Sequence, residues 1–128
     1  MDKQMSSIAT LFQALGDVTR LRILGLLLTG EVCVCDLYES LKISQPKASR
    51  HLAYLRRAGL VATRREGLWV HYRLAETRDP VQQALQQAVT HALTHLDAVQ
   101  RDELRLQKKT GCCLPVVDAP RGPCCAPA

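Results

Sequence analysis

Aromatic residues are scarce in this 128-residue chain: one Phe, one Trp and three Tyr make up 4% of it. Because 47% of the residues are nonetheless hydrophobic, the core has to be assembled from Leu, Ile, Val and Ala. Long apolar runs are missing too. The most apolar stretch, Ile23 to Leu28, falls far short of the roughly 20 residues that a membrane-crossing helix needs. The opening Met1-Asp2-Lys3-Gln4-Met5-Ser6-Ser7 lacks the apolar run of a signal peptide. The expectation is a cytoplasmic protein with no membrane partner. Acidic residues are nearly absent from one segment: between Ser44 and Arg73, Glu66 stands alone against Lys47, Arg50, Arg56, Arg57, Arg64, Arg65 and Arg73. With a net charge of +5 for the whole chain, the remainder is close to neutral. A basic stripe on an otherwise near-neutral protein implies a surface that faces a polyanion. Signatures of catalysis are lacking as well. No C-x-x-C redox motif, phosphate-cradling glycine loop or nucleophile–base pairing is visible, so an enzyme is not expected.

What is present organises as one domain with a tail. A chain this short buries a modest fraction of its surface and often gains stability by dimerising. Ile8, Leu11, Phe12 and Leu15 form a helical stripe closed by Gly16, and Asp17 is placed to cap a second helix carrying Leu21, Leu24, Leu27 and Leu28. A short helix over Asp36–Leu41, a turn at Lys42-Ile43 and a helix capped by Ser44 follow. Pro46 is tolerated in the first turn of that helix. Leu60–Glu66 and Leu68–Leu74 read as a hairpin around Gly67. Two helices at a short turn followed by a basic hairpin describe a winged helix-turn-helix, mainly α with a β-hairpin wing. Pro80 opens what reads as one long final helix, with Val81, Leu85, Ala88, Ala92, Leu96 and Val99 on a stripe suited to a second subunit. The domain is expected over residues 1–106, with its N-terminal and C-terminal helices at a dimer interface. From Gln107 to residue 128 four prolines and four cysteines replace the apolar periodicity, which suggests a flexible tail.

The cysteines are Cys33, Cys35, Cys112, Cys113, Cys124 and Cys125. In a cytosolic chain of this size they point to metal ligands or reactive thiols rather than a disulfide framework. His91 and His95, four apart on the final helix, have the spacing of a zinc pair, although solvated or interface histidines fit them better.

Four segments carry a family resemblance: Ala14-Leu15-Gly16-Asp17-Val18-Thr19-Arg20-Leu21-Arg22-Ile23-Leu24, Glu31-Val32-Cys33-Val34-Cys35-Asp36-Leu37, Ser44-Gln45-Pro46-Lys47-Ala48-Ser49-Arg50-His51-Leu52 and Gly67-Leu68-Trp69-Val70-His71-Tyr72-Arg73-Leu74. In these the chain resembles the ArsR/SmtB family of metal-responsive repressors, and within it the arsenic-sensing branch. The resemblance implies a homodimer that represses by binding double-stranded operator DNA, an imperfect palindrome. It implies release when trivalent arsenic (arsenite or methylarsenite, with Sb(III) a further candidate) bonds to cysteine, and no organic cofactor. Arsenical resistance or efflux genes would be the targets. Several sensors of this branch carry a third cysteine where this chain has Tyr38, so only Cys33 and Cys35 carry over.

Trivalent arsenic is soft and prefers thiolate sulfur. Helical residues two apart face nearly opposite ways, whereas extended ones point to the same side. Cys33 and Cys35 can therefore clasp one atom only where the chain is not helical. We expect capture to unwind or re-angle the start of the short helix, and a nearby helix N-terminus to lower the thiol pKa. A third sulfur could come from Cys112 or Cys113, less readily from Cys124 or Cys125, or two protein thiols could suffice. For DNA, Gln45, Lys47, Ser49 and Arg50 at the start of the recognition helix are the base-reading candidates, with His51 beside them. Arg56, Arg57, Arg64, Arg65 and Arg73 suit phosphates. The competing readings are a winged-helix sensor of Cd, Pb, Zn or redox state and, more remotely, a thiol-dependent arsenic-detoxifying enzyme.

Overall fold

The computed structural model describes residues 2–109. Cys112, Cys113, Cys124 and Cys125 lie outside the described residues.

Helix α1 (Asp2–Leu15) buries Leu11 and Ala14 and is followed by α2 (Val18–Leu27), whose N-cap Asp17 accepts a hydrogen bond from the Arg20 N–H. That cap satisfies one of the donors a helix start leaves open. A two-residue strand β1 (Val32–Cys33) leads straight into α3 (Val34–Leu41). Lys42, left-handed at φ 58°, turns the chain into α4 (Gln45–Arg57), with the Ser44 hydroxyl capping at the Lys47 N–H. Strands β2 (Val61–Glu66) and β3 (Trp69–Leu74) form the wing hairpin, whose turn needs Gly67 at φ 61°. The sheet order is β1-β3-β2, all antiparallel, with Cys33 opposite His71 and Arg64 opposite His71 on its other side. The sequence patterning did not indicate β1. Two residues are too few for a period-2 signal, and the strand exists because β3 offers it an edge.

The core is aliphatic, as the shortage of aromatics requires. Ile23, Leu26, Leu37, Leu41, Leu52, Leu55 and Leu60 are fully enclosed between α2, α3, α4 and the base of the wing.

One long terminal helix does not form. The chain makes α5 (Pro80–Thr94), breaks at His95 (φ −107°, ψ 7°), and continues as α6 (Asp97–Lys109), so helix also extends past Gln107. The break has a packing cause. Leu93 and Val99 are both buried, yet six residues on one helix lie about 120° apart around its axis and could not enter the same core. With the break, α6 folds back against α2 and α3. Val99, expected to face a second subunit, instead packs inside its own subunit, and Leu85 is half-buried. The remaining stripe residues, Val81, Ala88, Ala92 and Leu96, stay exposed.

The close approach of α6 rests on Gly25, buried in α2. A Cβ built there would meet Val99 Cγ1 at 2.9 Å and Cγ2 at 3.1 Å. Val is stiff at χ1 and cannot swing aside freely. Gly25→Ala should therefore lower stability: overpacking of about 1–3 kcal/mol outweighs a helix-propensity gain of about 1 kcal/mol. In a Val99→Ala background the same substitution should become neutral or stabilising. Thermal unfolding of the four chains at fixed protein concentration checks this, and a drop of equal size in both backgrounds contradicts it.

Candidate functional site

The passage from strand to helix at Cys33-Val34 shapes the thiol pair. Cys33 is extended (φ −67°, ψ 144°) and stands at the N-cap position of α3, while Cys35 is in its first turn. Their sulfurs are 3.2 Å apart, and both side chains are buried, 3% and 1% exposed. The expectation that a C-x-C pair converges only outside a regular helix is met by this break. Unwinding α3, also expected, is not needed to bring the sulfurs together. Cys33 is a free thiol and Cys35 is disulfide-bonded, though not to Cys33; capture of a soft ion therefore requires Cys35 in its reduced form. An atom joined to both sulfurs by bonds of about 2.3 Å would see them at an angle of about 88°, well below tetrahedral. That suits a pyramidal trivalent centre with a lone pair better than zinc.

Trp69 of β3, 7% exposed, packs against both cysteines, and Tyr38 of α3 flanks them. The sulfur pair is thus wedged between the first helix of the helix-turn-helix and the middle strand of the wing. Trp69 escaped the sequence reading because its link to the cysteines runs through β1. Its signal was there: Trp69 and His71 alternate onto one face of β3, and His71 is paired with Cys33.

The pKa of Cys33 is raised, not lowered. Burial is the largest cause, and the Asp36 carboxylate adds to it. Backbone N–H groups of Cys35, Asp36 and Val34 pull the other way and lose. The helix start does act in the expected direction, but desolvation of a buried thiolate outweighs it.

The basic candidates fall on one run of surface. On α4, Lys47, Ser49 and Arg50 are exposed and Gln45 half-buried, and Arg56 and Arg57 are exposed at the end of the helix. On the wing, Arg64, Arg65 and Arg73 are exposed. Three candidates already have partners; Arg57 lies 5.7 Å over the Tyr54 ring, and Arg64 and His51 make hydrogen bonds. Arg64 donates from Nε and Nη2 to the Glu31 carboxylate and from Nη1 to Glu66 at 3.0 Å, which holds the Glu31 carboxyl below the usual carboxylate range, hydrogen bonding from Arg64 being the chief cause. His51 has Nδ1 3.3 Å from Arg20 Nη1, and burial depresses its pKa. Arg20 in turn donates to the carbonyls of Gln13 and Ala14 and lies 4.2 Å over the Tyr54 ring, tying α1 to α4. Neither Arg20 nor Glu31 was singled out from the sequence, since both contacts are long-range. His91 and His95 are exposed, and among the described residues no group of three or more His, Cys, Asp or Glu is placed to hold a metal ion. No described helix is long and apolar enough to cross a membrane.

Two helices meeting at a tight turn, the second with an open basic face, together with a three-stranded wing make this a winged helix-turn-helix. Comparison with known proteins agrees. The sequence profile of the bacterial regulatory protein arsR family matches residues 17–63. The arsenical resistance operon repressor of Escherichia coli (strain K12) is 59% identical over 66 residues, 51% of this chain and 56% of the repressor. The chain thus spans about half the length of this repressor and of the arsenic resistance transcriptional regulator ArsR1 of Pseudomonas putida. Among solved structures, HlyU from Vibrio cholerae N16961 aligns with a TM-score of 0.61 at 37% identity, over 72% of this chain and 97% of that one. The homodimeric winged helix-turn-helix domain Mb0332 from Mycobacterium bovis, a possible ArsR-family regulator, aligns with a TM-score of 0.60 at 33% identity, over 73% and 89%. The chain belongs to the arsR family.

In the reduced chain, Cys33 should alkylate more slowly at neutral pH than glutathione, with its rate still climbing where glutathione has levelled off. Mass spectrometry of iodoacetamide-modified Cys35→Ser protein across pH 7–10.5 measures this. A midpoint below that of glutathione would contradict the burial argument.

Proposed function

We propose that the chain is an arsenic-responsive transcriptional repressor of the cytoplasm, not an enzyme. It binds operator DNA as a homodimer and lets go when trivalent arsenic joins Cys33 and Cys35. The observation that carries this reading is the buried sulfur pair, 3.2 Å apart, between α3 and the wing strand β3. Protein interiors are close-packed, so an arsenic atom with its third substituent has to displace a neighbour. The neighbours are Trp69 on the wing and the first turn of α3, buried parts of the two units that carry the proposed DNA contacts. Reversing a 99:1 bound population takes about 5.5 kcal/mol of differential affinity, within reach of two or three metalloid–sulfur bonds. The name of the Escherichia coli relative supports arsenic as the signal. The homodimeric Mycobacterium bovis neighbour supports a dimer, as does the apolar surface formed by Met5, Ile8 and Phe12 on α1 and Val81 on α5. Cys112 or Cys113 is our choice for a third donor, because the tail carries four of the six cysteines of the chain.

The protonated state of Cys33 bears on which inducer fits. Arsenite is a neutral oxyacid that condenses with two thiols, forming two As–S bonds and releasing two waters, with no net proton change. A divalent cation has to expel two protons, which costs affinity by roughly tenfold per pH unit for each proton released. Raising a thiol pKa therefore penalises Cd(II) and Zn(II) near neutrality and leaves arsenite untouched. A second reading, redox control of the same pair, is favoured by the disulfide at Cys35.

Fluorescence anisotropy on labelled operator, with reduced protein and added arsenite, methylarsenite, Cd(II), Zn(II) or peroxide, tests the whole. Arsenite should release the wild-type chain, and its half-release concentration should change by less than about threefold between pH 6 and 8, while that of Cd(II) falls by more than about tenfold. Cys33→Ser/Cys35→Ser should hold DNA at every arsenite concentration; normal release would sink the reading. Unchanged arsenite sensitivity in Cys112→Ser/Cys113→Ser would remove the tail from the mechanism.

For DNA, Arg50→Ala should lose operator affinity while keeping affinity for random duplex, a loss of about 1–3 kcal/mol of discrimination. Arg65→Ala should weaken both equally and flatten the salt dependence by about one unit of slope. Equal losses on both duplexes for Arg50→Ala would take it out of the reading set. Arg64 has to exchange Glu31 for phosphate, so its net contribution should be the smaller.

A further inference from the structure

Asp102, on α6, is fully buried. Two guanidinium groups hold its carboxylate. Arg22 of α2 donates Nε to Oδ2 at 2.9 Å and Nη2 to Oδ1 at 2.8 Å, and Arg105, three residues on, donates Nη2 to Oδ1. Each arginine also reaches the last turn of α3: Arg22 Nη2 donates to the Leu41 carbonyl at 3.1 Å and Arg105 Nε to the Ser40 carbonyl at 2.6 Å. A helix leaves its last four carbonyls without partners inside the helix, and positive charge there complements the helix dipole. The C-terminal end of α3 is therefore capped by side chains of two other helices, locked together by one buried carboxylate.

Helix α3 has eight residues and is about 12 Å long, short enough to move as a rigid rod. Its first turn carries Cys35, held against Cys33 and Trp69. Its last turn carries the two arginine contacts. The turn at Lys42 and the Ser44 cap of α4 follow at once. A rod pushed at one end and pinned at the other rotates, and the rotation is passed to whatever is joined at the pin. Without the pin it slides, and its neighbours absorb the shift.

We propose that Arg22, Asp102 and Arg105 form the fulcrum of the switch. They are positioning residues that touch neither inducer nor DNA, and they convert displacement at the sulfur pair into rotation of α3 and re-aiming of α4. This inference rests on the sulfur-pair reading above.

The test separates coupling from binding. For the full reduced chain, Arg105→Gln and Asp102→Asn, operator Kd is measured with and without saturating arsenite, and arsenite affinity is measured without DNA through Trp69 fluorescence. Arg105→Gln keeps the Arg22–Asp102 pair and so keeps the buried charge compensated; it guards against the chance that Asp102→Asn fails to fold. The expected result is that Arg105→Gln lowers the arsenite-induced change in operator Kd at least tenfold, with arsenite affinity unchanged within twofold. Arg105→Lys, which keeps charge but not the fork, should recover only part of the coupling. A merely structural role would lower the melting temperature and leave the ratio of the two Kd values alone, and that outcome overturns the fulcrum. So does a loss of coupling that only tracks lost arsenite affinity. If the unsubstituted chain itself shows no arsenite effect on operator Kd, the sulfur-pair reading falls and takes this one with it.

Discussion

The change of backbone state between Cys33 and Val34 is the constraint on which the rest depends. Were this stretch one continuous helix, the two thiols would point nearly opposite ways around it. Were it a longer strand, both would face one side but neither would belong to a helix-turn-helix. Ending β1 at Cys33 and starting α3 at Val34 lets the sulfurs meet at 3.2 Å while one remains paired to the wing and the other rides on α3. The single hydrogen-bonded register of Cys33 with His71 places Trp69 over the pair. One local conformational step therefore joins the sulfur pair to both the helix-turn-helix and the wing.

Two sets of charge pairs have opposite parts in this scheme, and burial decides which is which. The Glu31–Arg64–Glu66 cluster is largely exposed, with Arg64 itself 46% accessible, and solvent screening leaves such pairs contributing little. On the proposed reading it can exchange a carboxylate for a phosphate at little cost. The Arg22–Asp102–Arg105 cluster surrounds a carboxylate 1% exposed, where removing a partner costs about 3–5 kcal/mol. In the proposed switch the first would exchange partners at the DNA, while the second would hold still as α3 turns about it.

Most of the helix-turn-helix was legible in the chain because its signals are local. Asp17 and Ser44 announce helix starts through their own side chains, Gly67 marks the wing turn, and the leucine spacing of α2 and α4 states which faces are inward. What escaped depends on residues far apart in sequence. The strand β1 needs β3 as its template. The burial that raises the Cys33 pKa needs Trp69, and the caps on α3 need arginines 19 and 65 residues away from the carbonyls they satisfy. The break before α6 was hidden for a related reason. Val99 continues the apolar stripe of α5 well enough in sequence, and only the depth of Gly25 on α2 reveals that it belongs to a different packing surface. The cysteine positions were plain from the sequence, whereas the direction of their chemistry was not.

The missing third cysteine is less damaging to the switch than its absence from the sequence suggests. Tyr38 stands where several sensors of the arsenic branch have that cysteine, and its side chain packs on the sulfur cluster beside Trp69. A pyramidal centre bonded to Cys33 and Cys35 directs its third bond away from both, and the side chains packed on the pair are aromatic. On the proposed reading, a hydroxyl, a methyl group or a further sulfur on that bond would compete with Trp69 and Tyr38 for the space they fill. The proposed coupling between occupancy and distortion is then a matter of volume, set by two aromatic side chains in a protein that has five. In that scheme the third substituent tunes affinity for the inducer, and the aromatic cover passes its presence to the wing and α3.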